Sequence, residues 1–263
     1  MTEKVLSLNN LAINLGGKRV LNGINLDVYQ GEIIGYIGPN GAGKSTTVKI
    51  MLGLLEDYQG TVEIFGGDIA AGDHTYKRRI GYVPENAKIY DNLTASEYLT
   101  FIGELYGLDK EVVETKARQL MHEFELDHVF NTRLSSFSKG MRQKVLIISS
   151  LLHDPDLLFL DEPLNGLDAN SVMIIKEMLT QLAAQGKTIF YSSHIMDVVE
   201  KISNRIVLLI DGAVAADGSF TELKEQSKEG SLEQIFNQLT GFDEHHDVAK
   251  NFVSIVSGES HHE

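Results

Sequence analysis

The chain contains no cysteine among its 263 residues. A disulfide framework and a thiolate metal site are both excluded, and a reducing compartment is permitted, with the cytosol expected. Basic residues are scarce beside acidic ones, 23 against 37, for a formal net charge of -14. That balance argues against a nucleic-acid partner, because binding a polyanion draws on clustered Lys and Arg that release counterions. The densest basic run, Lys77-Arg78-Arg79, is expected as a solvated helix face. Long apolar stretches are missing as well: Ile206 to Ile210 falls far short of the roughly 20 residues a spanning helix needs. Met1 to Asn10 lacks the basic-then-apolar order of a secretory signal. Work at a membrane would therefore require a partner that holds the chain there.

What is present is the balance of a globular protein, 43% hydrophobic and 23% charged, long enough for one sizeable α/β core and a smaller lobe. Short aliphatic runs bounded by Gly, Asp or Asn predict strands at 5–8, 12–15, 25–28, 33–37, 61–65 and 80–83, with a helix beginning at Lys44. From about 92 the pattern turns helical. Thr94 to Glu97 reads as a capping box, and Val113, Ala117, Leu120, Met121 and Phe124 recur at helical spacing. After about 155, strands at 157–160, 188–192 and 206–210 alternate with helices, the arrangement of a largely parallel sheet. Asp211-Gly212 predicts a hairpin turn into an antiparallel edge at 213–216. Residues 231–239 suit an amphipathic helix, and 241–263 is expected as a poorly ordered tail.

The strongest signal is Gly38-Pro39-Asn40-Gly41-Ala42-Gly43-Lys44-Ser45-Thr46, which satisfies G-x-x-x-x-G-K-[ST] between an aliphatic strand and a helix. Glycines let the backbone N–H groups wrap phosphates, the helix N-terminus adds a favourable dipole, and Lys44 reaches the terminal phosphates. Ser45 is placed to ligate Mg2+. Binding ATP with magnesium is the consequence. A second element decides whether the bound nucleotide is hydrolysed. The aliphatic strand ending at Asp161-Glu162-Pro163 delivers Asp161 to the carboxyl end of the sheet, where it can hold the metal. Glu162, pointing elsewhere, suits the general base for an attacking water. An Asp-Glu pair after a strand is by itself most often an exposed edge; the phosphate loop reverses that reading.

With both elements in place, residues 3 to about 225 resemble the nucleotide-binding subunit of an ATP-binding-cassette (ABC) transporter. Leu134 to Gln143, containing Ser138-Lys139-Gly140, resembles that family's signature sequence, which contacts the ATP held by the other subunit of a dimer. Asn165 to Asp168 resembles the loop along the dimer interface. Ser193-His194 resembles the switch histidine that orients the γ-phosphate and the attacking water. The resemblance implies an ABC ATPase fold: a P-loop core with a mostly parallel sheet, an N-terminal antiparallel β subdomain and an inserted α-helical subdomain at about 86–150, within a single domain of residues 1–240. It implies ATP and Mg2+ as ligands, and Glu162, His194 and Lys44 as the catalytic set. Ser45, Glu85 and Asp161 would hold the metal, and Leu15, Val20, Gly38 to Thr46, Glu85, Ser138, Gly140 and Asp168 would contact the nucleotide. It also implies a head-to-tail dimer with a second copy or a paralogue, and a membrane permease docked on the helical subdomain at the cytoplasmic face.

Several positions depart from the family pattern. Glu85 stands where Gln is usual; it still offers oxygen to a hard cation but cannot donate an amide hydrogen bond. Lys139 and Met141 replace Gly and Gln in the signature. Leu15 occupies the place of the aromatic that stacks on adenine, which predicts similar affinity for ATP and GTP. The segment Tyr82 to Glu85 together with Phe137 to Lys144 is similar to subunits of two-component exporters whose permease is encoded separately. Two other readings stay open: an ABC ATPase outside transport, and a regulatory subunit that binds ATP with little turnover. His245-His246 and His261-His262 are expected as solvated tail residues rather than a metal site.

Overall fold

The computed structural model describes residues 3–85, 89–193, 195–241 and 245–257. The first half runs β1 (Lys4–Leu15), β2 (Lys18–Tyr29), β3 (Ile33–Ile37), α1 (Lys44–Met51), β4 (Gln59–Ile64), β5 (Gly67–Asp68) and β6 (Ile80–Val83). Three helices follow, α2 (Ala95–Leu105), α3 (Lys110–Glu123) and α4 (Lys139–Leu151). The alternating half is β7 (Leu157–Asp161), α5 (Ala169–Ala184), β8 (Thr188–Ser192), α6 (Met196–Ile202), β9 (Arg205–Ile210) and β10 (Ala213–Gly218). Helices α7 (Phe220–Ser227), α8 (Leu232–Thr240) and α9 (His245–Ser257) close the described chain.

The strands form two sheets. One is antiparallel with order β2-β1-β4-β5, and the other has order β10-β9-β3-β8-β7-β6. In the second, β3 pairs parallel with both β8 and β9, and β7 pairs parallel with β6 and β8; β10 is the antiparallel edge. The expected α/β fold, with an antiparallel N-terminal sheet and an inserted helical segment, is what the chain adopts.

Every residue of β3, β7 and β8 is buried, yet the period of two survives, because the sheet separates two cores. Ile33, Ile37, Leu158, Leu160, Ile189 and Tyr191 face one core, which continues into α2 to α6 through Leu99, Val113, Val145, Ile175 and Val199. Ile34, Tyr36, Leu157, Phe159, Phe190 and Val207 face the other, which they share with Val48 and Ile50 of α1 and with Leu6, Leu8 and Leu26 of the antiparallel sheet. Helix α1 and the loop before it are thus packed between two sheets. The helical segment is started by the expected capping box: the Thr94 hydroxyl accepts from Glu97 N, and the Glu97 carboxylate accepts from Thr94 N.

Three local expectations differ from the structure. Residues 4–15 form one strand instead of two, because register shifts between Leu8 and Ala12 absorb Asn10, at φ 51, without ending the pairing. Lys77 to Arg79 is largely solvated as expected but lies in a short 3-10 turn rather than a longer helix, with the Arg79 guanidinium 3.8 Å over the Phe65 ring and paired with Asp156 at 2.6 Å. The segment after Gly241, read as a tail, contains helix α9.

Candidate functional site

The phosphate loop leaves β3 at its carboxyl end and enters α1 through Gly43, whose φ of 104 lies in the left-handed region. Only glycine fits there. A Cβ at 43 would stand 2.4 Å from Leu21 Cδ2, and one at 38 would stand 2.3 Å from the Leu209 carbonyl oxygen. Close packing under the loop thus forces its backbone into the cradle. Lys44 lies across it, donating from Nζ to the carbonyls of Gly38 (2.7 Å) and Pro39 (3.2 Å). Burial holds its ammonium below the ordinary lysine value, opposed by the charges of Glu162, Asp161 and Glu85.

Those carboxylates come from the carboxyl ends of β7 and β6, beyond β8 in the same sheet. Asp161 ends β7; its two oxygens accept from Ser45 (3.3 Å) and from Ser192 at the end of β8. Glu162 is buried at a left-handed φ of 50, which turns it away from the strand direction; its N–H donates to Ser192 O, and Oε2 accepts from Ser193 at 3.4 Å. The Tyr82 hydroxyl is pushed up to about 12, first by burial and then by the Asp161 charge.

Above the loop opens a cavity of about 400 Å³, lined by Leu15, Lys18, Arg19 and Val20 of the β1–β2 hairpin, by residues 40–46, and by Glu85, Asp161 and Glu162. Leu15, Val20, Asn40 to Thr46, Glu85, Asp161 and Glu162 were expected here; Lys18 and Arg19, which belong to no motif, were not. Gly38 and Pro39 contribute carbonyls to Lys44 rather than lining. His194 lies outside the described residues, as do His261 and His262.

Three expected contacts stand apart from the cavity. Ser138 is the exposed N-cap of α4, accepting from Met141 N at 3.2 Å. Gly140 packs on the 165–168 loop: a Cβ there would be 2.7 Å from Gly166 O. Asp168 caps α5, accepting from both N and Oγ of Ser171, and pairs with Lys144 at 3.4 Å; these hydrogen bonds, chiefly the hydroxyl's, hold its carboxyl well below the usual range.

The donor set fits a nucleoside triphosphate with Mg2+. A hydroxyl and a carboxylate within 3.3 Å of each other are hard oxygen ligands, and Mg2+ characteristically takes one or two protein ligands and completes its shell with phosphate and water. Among the described residues no group of three His, Asp or Glu forms a fuller protein cage.

A phosphate loop at the carboxyl end of β3 in a mostly parallel sheet, with a carboxylate pair at the end of β7, on the far side of β8, and an inserted helical segment, defines a P-loop nucleotide-binding cassette. The model of the ABC transporter family matches residues 21–165, and the chain belongs to that family as an ATP-binding domain. It is similar to ABC transporter ATP-binding protein NatA of Bacillus subtilis (strain 168), 36% identical over 219 residues that cover 83% of this chain and 89% of that protein. It is also similar to Nod factor export ATP-binding protein I of Burkholderia lata, 29% identical over 252 residues, 93% of this chain and 83% of that protein. A solved ATP-binding subunit of an ABC transporter superposes with a TM-score of 0.84 at 34% identity, covering 90% of this chain and 99% of that one.

Proposed function

We propose that the chain is the ATP-hydrolysing motor subunit of an exporter, driving a separately encoded membrane permease through ATP-dependent head-to-tail dimerisation. The observation that carries this reading is a division of parts. Lys44, Ser45, Asp161 and Glu162 converge on one cavity, whereas Ser138 and Gly140, at the start of α4, lie outside it. A second copy, or a paralogous subunit, would bring that helix start over the phosphates.

In this reading the loop N–H groups and Lys44 bind the phosphates, Ser45, Asp161 and Glu85 hold Mg2+, and Glu162 takes a proton from the attacking water. His194 orients that water. Mg2+, when bound, supplies charge neutralisation at the phosphate oxygens. The chain's own contribution is positioning and fixed charge, as phosphoryl transfer requires. Residues 1–240 act as one cassette, and the helical subdomain at about 86–150 docks the permease, which holds the chain at the cytoplasmic face. Glu85 lines the cavity, directly precedes that subdomain in the sequence, and would couple them. The similarity to a Nod factor export protein supports the export direction.

A phosphate-release assay on the purified chain tests the motor. Wild type is expected to turn over and Glu162→Gln to fall by at least about 100-fold, the lower end for losing a general base. Normal turnover by the variant would remove Glu162 from its role. Co-purification with a polytopic membrane protein tests the permease.

A further inference from the structure

Two residues that no motif accounts for balance the charge of the cavity. Its charged lining is Lys18, Arg19 and Lys44 against Glu85, Asp161 and Glu162. Lys44 is engaged with the loop carbonyls. Lys18 and Arg19 are exposed, and among the described residues neither side chain has an ion pair or hydrogen bond. Without them three carboxylates would face one ammonium, in a chain whose formal charge is already -14. Such a cavity would repel a polyanionic ligand.

The hairpin fixes where the two cations stand. Gly16 and Gly17, at φ 57 and 79, make the turn between β1 and β2, and the register sets Lys18 opposite Leu15 and Arg19 opposite Asn14. Directly opposed residues of antiparallel strands share a face, their Cβ atoms about 5 Å apart. Lys18 therefore stands beside the leucine that occupies the base-contacting position.

We infer that Lys18 and Arg19 are polyphosphate-recognition residues: the hairpin contributes charge to the triphosphate where a stacked ring would contribute contact to the base. The inference rests on the nucleotide-binding reading of the cavity. It follows that recognition at this end of the site is blind to the base.

Displacement of an N-methylanthraniloyl-ATP probe by ATP, GTP and inorganic tripolyphosphate tests it. Three proteins are compared: wild type, the Lys18→Ala/Arg19→Ala pair and the charge-keeping Lys18→Arg/Arg19→Lys pair. The alanine pair is expected to weaken all three competitors alike, by about tenfold at low salt, with the difference shrinking as screening rises. The charge-keeping pair should stay near wild type. Unchanged affinity in the alanine pair overturns the inference, as does a loss for ATP and GTP that spares tripolyphosphate. Lys44→Ala, measured alongside, separates the two levels. If it binds the probe like wild type, the reading of the cavity fails; if it alone loses binding, only the role of Lys18 and Arg19 is refuted.

Discussion

Gln143, one turn into α4, donates from Nε2 to the carbonyl of Pro163 at 3.0 Å, and both groups are buried. Pro163 directly follows Glu162, and Gln143 lies on the helix that Ser138 caps. One hydrogen bond thus ties the carboxylate of one nucleotide site to the helix proposed to serve the other. Gly140 on Gly166 and Lys144 with Asp168 reinforce the same junction.

Replacing Gln143 with Leu leaves the Pro163 carbonyl buried and unpaired. Urea denaturation is expected to show a loss of about 1–3 kcal/mol. An unchanged midpoint would mean that the bond adds no net stability.

His153 stacks on Tyr106, with ring centroids 3.6 Å apart and planes 8° apart, and its Nε2 lies 2.9 Å from the Ile80 carbonyl. Burial pulls its pKa down; the Ile80 bond opposes this, Lys116 and Lys187 add to it and Asp154 opposes it. The folded pKa is therefore below the unfolded value of about 6.5. The unfolded state binds the proton more readily, so this contribution is present above pH 6.5 or so and is lost as pH falls towards the folded pKa. Unfolding midpoints at pH 5.5 and 7.5 should differ more in wild type than in His153→Gln. Equal differences would contradict the assignment.

Leu15 is 39% exposed at the mouth of the cavity and offers no ring. Wild type is expected to bind ATP and GTP with similar affinity. Leu15→Tyr adds a stacking face and should tighten ATP binding by about 1 kcal/mol, the low end of base–aromatic stacking. Titration calorimetry measures both, and a large wild-type preference for ATP would show that another group reads the base.

The sheet and the loop were legible because their signals are local: β3, β6 and β8 begin and end where the aliphatic runs do. Helix α7 was missed although Ser219 and Glu222 form the same capping box that revealed α2, since its interior is mostly polar and only Leu223 is buried. The gap expected between strands 5–8 and 12–15 proves to be an irregularity within one continuous strand, because β1 stays paired with both β2 and β4 on either side of it. Lys18 and Arg19 carry no motif. Only the hairpin register brings them to the cavity, and register is set by pairing rather than by residue type. Asp168, expected at the nucleotide, caps α5 within its own chain.

In the proposed function, two copies complete each hydrolytic site. Light scattering on Glu162→Gln with ATP and Mg2+ reads that assembly. A shift is expected from the 29.1 kDa monomer to a dimer that reverts to monomer when Ser138→Arg is added, although that double variant still binds ATP. A Glu162→Gln chain that stays monomeric while saturated with ATP would contradict it.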